Sequence, residues 1–261
     1  GRILSEEFDW EDDVNPETPY AETILYKLHV RGFTVHASSG VSARGTYAGV
    51  VEKIPYLKEL GITAVELMPV TEFDEIMMSS SGSGFHNAKQ EPTGYVNYWG
   101  YGPSYLYAVK TAYASRETMS AEGEFKTLVK ELHKAGIECI PEMYFTGKEL
   151  PGEILSVLRY WVEEYHVDGF HLTGFPDLSL AAEDPFLKRT KLFAENWNDV
   201  MNRRPKQGYV TPGDGAVSVE EKNLAEYNMQ FMEDMRRFLK GDEGMLSAFE
   251  LRNRRNPMEY A

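Results

Sequence analysis

The sequence predicts an α/β protein built on parallel strands, and three observations carry that expectation. Short apolar runs alternate along the chain with longer segments of helical periodicity. The runs are nearly continuously apolar, as in strands covered on both faces, rather than alternating apolar and polar. About six such strand–helix units can be counted in 261 residues. A closed barrel of eight units typically uses about 250 residues. The residues alone therefore leave two architectures open: a (β/α)₈ barrel short of its last units, or an open doubly wound sheet.

Taken in order, residues 1–22 are acidic and irregular and read as a lead-in that packs along a surface. "TILYKLHV" (23–30) reads as the first strand. "TYAGVVEKIPYLKELG" (46–61) has helical spacing, a bend expected at Pro55 and a stop at Gly61. "ITAVELMPV" (62–70) is the second strand. Residues 71–96 are rich in Ser and Gly and read as one long loop, of a length that is often functional in a compact domain. "EGEFKTLVKELHKAG" (122–136) is an amphipathic helix closed by Gly136. "IECIPEMYF" (137–145) is the third strand. "PGEILSVLRYWVEEYH" (151–166) is a helix opened by proline. "VDGFHLT" (167–173) is the fourth strand, 178–190 a short helical piece broken by Pro185, and "KLFAENW" (191–197) the fifth strand. Residues 224–241 hold a short sixth strand and a helix.

Composition narrows the function classes. The formal net charge is −14, with 41 acidic against 27 Lys and Arg residues. Such a surface repels phosphate backbones, so no nucleic-acid partner is expected. Neutral ligands remain, and 16 Tyr, 13 Phe and 4 Trp supply rings able to stack on sugars. Cys139 is the only cysteine, which removes any intrachain disulfide and leaves a small apolar core residue. No apolar run is long enough for a membrane and neither end reads as a signal peptide, so a cytoplasmic protein is expected, although a leader or neighbouring domains could lie outside these residues. No G-x-G-x-x-G follows the first strand, no G-x-S-x-G elbow is present, and no His/Cys/Asp group has metal-ligand spacing. Neither a cofactor nor a metal is expected.

In either architecture chemistry sits at the carboxyl ends of the strands. The groups there are His29, Arg31, Glu66, Glu142, His171, Thr173 and Glu195. Two carboxylates facing each other across a ring are the usual equipment for glycoside hydrolysis, and Glu142 with Glu195 form such a pair on composition alone. The competing reading makes each a strand-end cap or the partner of a nearby arginine, and His171 a satisfied core histidine.

Six ordered blocks carry a family resemblance: "ETILYKLHVRGFT", "GTYAGVVEKIPYLKELGITAVELMPVTEFDE", "NYWGYGPSYLYAVKTAYAS", "EFKTLVKELHKAGIECI", "LRYWVEEYHVDGF" and "AEDPFLKRTKLFAENW". They resemble the α-amylase superfamily, glycoside hydrolase family 13, on the branch of isoamylase, the glycogen-debranching enzymes and pullulanase. "RRFLKGDEGMLSAF" supports the isoamylase branch. The resemblance implies a (β/α)₈ barrel that hydrolyses α-glucosidic bonds with retention. It places Glu195 at the acid/base position and Tyr101 under the sugar at the cleavage subsite, with Trp99 and Trp197 flanking it. It also implies losses. The family reads "DGFRFDLA" where this chain reads "DGFHLTGF": His171 stands for the arginine that orients the nucleophile, and Thr173 for the nucleophile itself. On the third strand Glu142 stands for an aspartate, and Thr146-Gly147 for Asn-His. The long excursion that follows that strand is missing, and the chain ends before the motif of the third carboxylate.

The expectation is therefore a lead-in over 1–22 and a barrel-like domain over 23–261, lacking its last units and an inserted subdomain. Its function is expected to be that of an isoamylase-like α-glucan hydrolase domain that has lost its chemistry and keeps weak glucan binding. Two alternatives stand beside it. One is an active hydrolase with Glu142 as nucleophile and Glu195 as acid/base. The other is a structural barrel completed by a partner chain or a second copy across its open sheet edges.

Overall fold

The structure, a computed structural model, describes residues 7–81, 89–115, 120–174, 176, 180–194 and 223–241. Its centre is a six-stranded sheet: β1 (Leu25–Leu28), β2 (Ala64–Leu67), β7 (Glu138–Phe145), β8 (Gly169–Gly174), β9 (Lys191–Ala194) and β10 (Leu224–Glu226), in that order across the sheet. The paired strands from β1 to β9 run parallel, with Glu66 opposite Ile140 and Glu142 opposite His171. Chain order equals spatial order, so the sheet advances in one direction as a barrel does. The doubly wound alternative reverses direction at a switch point and is not what forms. This is an incomplete (β/α)₈ barrel.

Two long helices cover the outer face. α4 (Ala121–Lys134) starts at Ser120, whose hydroxyl accepts from Gly123 N at 3.1 Å, carries Glu122 and Glu124 in its first turn and ends in His133 and Lys134. Each of those choices suits the helix dipole. α5 (Pro151–Tyr165) opens on proline and stops at His166, which takes the left-handed conformation at φ 51°. Leu28, Val65, Leu67, Cys139, Met143, Phe145, Phe170, Leu172 and Leu192 on the strands form one buried cluster with Phe125, Leu128, Val129, Leu132, Val157, Leu158 and Trp161 on these helices. Trp161 is fully buried and donates from Nε1 to Leu106 O at 2.7 Å, which satisfies its one polar atom.

Before β2 the helical stretch divides at the expected place. α1 (Val30–Thr34) follows β1 directly, and α2 (Tyr47–Val51) and α3 (Ile54–Glu59) are separated just before Pro55, which takes the first turn of α3. The stretch 71–96, expected as one loop, is instead largely strand. β3 (Thr71–Phe73) pairs antiparallel with β6 (Ser104–Val109), and β4 (Ile76–Ser81) pairs with β5 (Lys89–Val96) as a hairpin. The two strands, Ile-Met-Met-Ser-Ser-Ser and Lys-Gln-Glu-Pro-Thr-Gly-Tyr-Val, satisfy their backbones by pairing with each other. Between 178 and 190 the expected helical piece is two 3₁₀ turns, Ala181–Glu183 and Phe186–Arg189.

Residues 13–18 reach the amino ends of the strands. Asn15 Nδ2 donates to Asp168 Oδ1 at 2.9 Å, and Thr18 N to Glu138 Oε1 at 3.0 Å. Asp13 accepts from both His133 and His166, and Trp10 stacks on the His166 ring at 3.8 Å, holding that residue in its left-handed conformation. The chain divides into two units, 1–225 and 226–261. The described part of the second contains α6 (Met229–Lys240), a helix capped by Asn228.

Candidate functional site

By the pleat's alternation, the side chains that do not face the helices point to the concave face. There the sheet is not apolar. Lys27 on β1, Glu66 on β2, Glu142 on β7 and His171 on β8 meet in one network. Lys27 Nζ lies 2.9 Å from Glu66 Oε1 and 2.8 Å from Glu142 Oε2. His171 Nδ1 donates to Glu66 Oε1 at 2.8 Å and lies 4.0 Å from Glu142 Oε1. Glu66, Glu142 and His171 are all buried, whereas the Lys27 side chain is 38% exposed and closes the network toward solvent. Burial alone would favour the neutral amine, but the two carboxylates outweigh it and hold Lys27 above the ordinary lysine range.

Tyr101 joins from the loop before β6. Its hydroxyl donates to Glu142 Oε2 at 3.2 Å, and its ring meets Tyr144 edge to face at 5.8 Å. Burial, followed by the Glu142 charge, pushes the phenol well above its usual range, so it stays a donor. The loop is built to hold it there. Asn97 Oδ1 accepts from Gly100 N at 3.0 Å while Asn97 Nδ2 donates to Tyr101 O at 3.1 Å. Gly100 sits at φ 85° with Phe73 so close that a Cβ would fall 2.5 Å from its ring, so only glycine turns this corner.

Thr173 lies two residues beyond His171, on the same face of β8. Only 8% of its surface is exposed, and its Oγ1 has no hydrogen-bond partner among the described residues. No base therefore touches this hydroxyl within that part of the chain. Trp99 is 52% exposed and belongs to no core. Glu195 and Trp197 lie outside the described residues. His29 and Arg31, at the end of the first strand, serve the architecture. His29 Nδ1 accepts from Gly32 N at 2.8 Å and Nε2 meets Tyr98 O at 2.9 Å, while Arg31 pairs with Glu75 at 2.8 Å. Burial, helped by the Arg31 charge, keeps the His29 pKa below its ordinary value.

The sequence reading did not single out Lys27. A signal was there: a charged residue on the inward-facing phase of an otherwise apolar "LYKL" strand needs a partner. Nor does linear spacing reveal that Glu66, Glu142 and His171 bring potential metal-ligand atoms within 4.8 Å of one another, because each comes from a different strand.

Fold and site together define a (β/α)-barrel protein whose polar groups gather on the inner face toward the strands' carboxyl ends. The catalytic-domain family of α-amylase matches residues 28–145. A glycogen operon protein GlgX homolog from Haemophilus influenzae is 34% identical over 310 positions, covering 95% of this chain and 43% of the relative. The chloroplastic isoamylase 3 of Oryza sativa subsp. japonica is 33% identical, covering 95% of this chain and 38% of its own. Among solved structures, pullulanase type I from Bacillus subtilis complexed with maltose superposes with a TM-score of 0.63 at 20% identity, over 89% of this chain and 39% of that one. Pullulanase from Paenibacillus barengoltzii in complex with maltohexaose and α-cyclodextrin gives 0.57 at 17% identity, over 87% and 42%. The chain is thus similar to the α-amylase superfamily, with curated relatives among GlgX homologs and isoamylases. It spans about two fifths of the length of those relatives, from 38% to 43%. The 310 matched positions exceed the 261 residues of this chain, so the relative carries residues with no counterpart here. No described helix is long and apolar enough to cross a membrane.

Proposed function

We propose that this chain is an isoamylase-like, debranching-type α-glucan domain that binds glucan weakly on its inner face and does not hydrolyse it. Residues 1–22 act in this reading as a lead-in that braces a barrel-type domain over 23–261. One observation carries the proposal: the buried Thr173 hydroxyl, at the position the resemblance gives to the nucleophile, contacts no base among the described residues. A threonine attacks only when a neighbouring group takes its proton, and a neutral hydroxyl cannot offset oxocarbenium charge as a carboxylate does. Glu142 is a poor substitute, because its Oε2 is shared between the Lys27 ammonium and the Tyr101 hydroxyl.

Binding asks less of the site. The partly exposed Tyr101 ring and the exposed Trp99 offer apolar faces to a sugar without any nucleophile. With few fixed donors around them the affinity is expected near millimolar, about −4 kcal/mol. Two measurements test the reading. Purified protein should release no reducing sugar from glycogen, amylopectin or pullulan above a buffer blank. Turnover that survives repurification and disappears in Glu195→Gln would establish the active-hydrolase alternative instead. Maltooligosaccharide titration followed by tryptophan fluorescence should saturate, and the signal should vanish in Tyr101→Ala. A flat titration at tens of millimolar sugar would remove the binding claim and leave the partner-completed barrel, which a solution mass above the monomer would support.

A further inference from the structure

The inner-face network holds two buried carboxylates and an imidazole around a single lysine. We infer that it is an exchangeable cation site: the Lys27 ammonium fills it in the metal-free protein, and a divalent cation of the Zn²⁺ or Mn²⁺ class replaces that ammonium when supplied. The inference concerns ion binding and is independent of the glucan reading.

Four observations carry it. The donor set is right, since two carboxylates and one imidazole suit Zn²⁺ and related first-row ions. The spacing is right as well. Zinc–ligand bonds near 2.0–2.2 Å in tetrahedral geometry require donor atoms roughly 3.3–3.6 Å apart. The His171 Nδ1 separations from Glu66 Oε1 and Glu142 Oε1, 2.8 and 4.0 Å, bracket that value. Small side-chain rotations on three rigid, mutually paired strands would equalise them. Third, the electrostatics already favour a cation, because Lys27 Nζ is drawn to within 3 Å of both carboxylates against its own desolvation. Lys27 also has substantial solvent exposure, unlike Glu66, Glu142 and His171, so its flexible stem can withdraw its ammonium without disturbing the sheet. The fourth is Thr173. Its buried hydroxyl, two residues beyond His171 on the same face of β8, lacks a hydrogen-bond partner among the described residues and so is a polar group on this face that a metal-bound water would satisfy. The exchange is chemically simple: the metal gains Glu66, Glu142 and the lone pair of His171 Nδ1, the ring proton passes from Nδ1 to Nε2 so that the imidazole stays neutral, and Lys27 leaves as a hydrated ammonium.

Titration of the intact protein with ZnCl₂ and separately MnCl₂, read by calorimetry, elemental stoichiometry and the histidine signals in NMR, tests this. One equivalent should bind saturably, the His171 ring resonances should shift, and the melting temperature should rise. Lys27→Met, which removes the competing charge, should bind at least tenfold more tightly. His171→Ala and Glu142→Gln, checked for folding by circular dichroism, should lose the stoichiometric site. Three results would overturn the inference: no saturable ion in the wild type, binding retained in both His171→Ala and Glu142→Gln, or uptake only by Lys27→Met. The last would make the lysine a permanent occupant. Because no sugar is present, the outcome does not depend on the glucan proposal.

Discussion

The two ends of the barrel sheet carry buried charge in different ways. At the amino end, Asp168 accepts from three donors: Asn15 Nδ2 at 2.9 Å, His133 Nε2 at 2.9 Å and Cys139 N at 2.7 Å. His133 is held on its other side by Asp13 at 2.8 Å, and Glu138 pairs with Lys191. Every one of these groups has a fixed partner, and the lead-in seals them. At the carboxyl end the network is equally buried, but it opens to solvent through Lys27, borrows Tyr101 from a loop, and lies beside a hydroxyl with no described partner. A closed polar network specifies one packing, whereas one with a movable member and an unmatched atom is where a ligand has something to gain. Buried charge by itself does not mark a site; incomplete satisfaction does.

The largest expected effect breaks the closed end. Asp168→Ala removes an acceptor from three donors and leaves the His133 charge half-paired in the core. A loss of about 3–5 kcal/mol is expected, the usual result of removing one partner of a buried ion pair. Urea unfolding measures it, and a change below about 1 kcal/mol would mean that the amino end is not the rigid one.

The next effect is one of pH. Both ring nitrogens of His133 face carboxylate oxygens, so both must donate and the ring is held as imidazolium. Burial opposes that charge, but Asp168 and then Asp13 outweigh it and raise the pKa above its ordinary value. A raised folded-state pKa gives stability that is fully present below the unfolded value, about 6.5, and is lost as pH rises through the folded value. Nearby charges act on the same balance, among them His166 against Asp13 and the Glu138–Lys191 pair. Unfolding midpoints should therefore fall between pH 6 and the mildly alkaline range, and His133→Gln should flatten that slope. An unchanged slope in the variant would assign the pH dependence to other groups.

Smaller effects belong to the open end. Tyr101→Phe deletes one hydrogen bond to Glu142 at a partly exposed position and should cost no more than about 1 kcal/mol. It should leave sugar titration intact, because the ring face remains. Smallest of all is Thr173→Val. Replacing a hydroxyl that has no partner among the described residues with a methyl of the same shape is expected to be neutral or slightly stabilising, within about 1 kcal/mol. A clear destabilisation would show that Thr173 has a partner after all and would weaken the contrast between the two ends.

The strands of the barrel were legible because burial on both faces leaves a continuous apolar signature, and "ITAVELMPV" and "IECIPEMYF" could hardly be anything else. The break near Pro55 and the stop of α4 at Gly136 were legible from turn chemistry. The hairpin β4–β5 was not, because its apolar residues, Ile76–Met78 and Tyr95–Val96, are consecutive and exposed and so leave no alternating phase to read. Likewise β6 has an alternating, half-exposed pattern, with Tyr105 and Tyr107 facing outward, that lay hidden in the aromatic block around it. The individual residues Glu66, Glu142, His171 and Thr173 were visible as strand-end groups. Their assembly was not, since contact between β2, β7 and β8 depends on register, and Lys27 acquires its meaning only from that register.

Gly174 closes β8 at φ 84°, with the backbone of β7 so near that a Cβ would fall 2.1 Å from Phe145 O. The family motif places a leucine at that position, immediately after its nucleophile. A leucine here would have to force the two central strands apart or reverse the local backbone conformation. A Thr173→Asp change alone would thus place a carboxylate at a strand end whose path is set by Gly174. Matching the motif at both positions therefore requires the backbone at 174 to move together with the side chain at 173, so the two positions are coupled through the main chain and not independently adjustable.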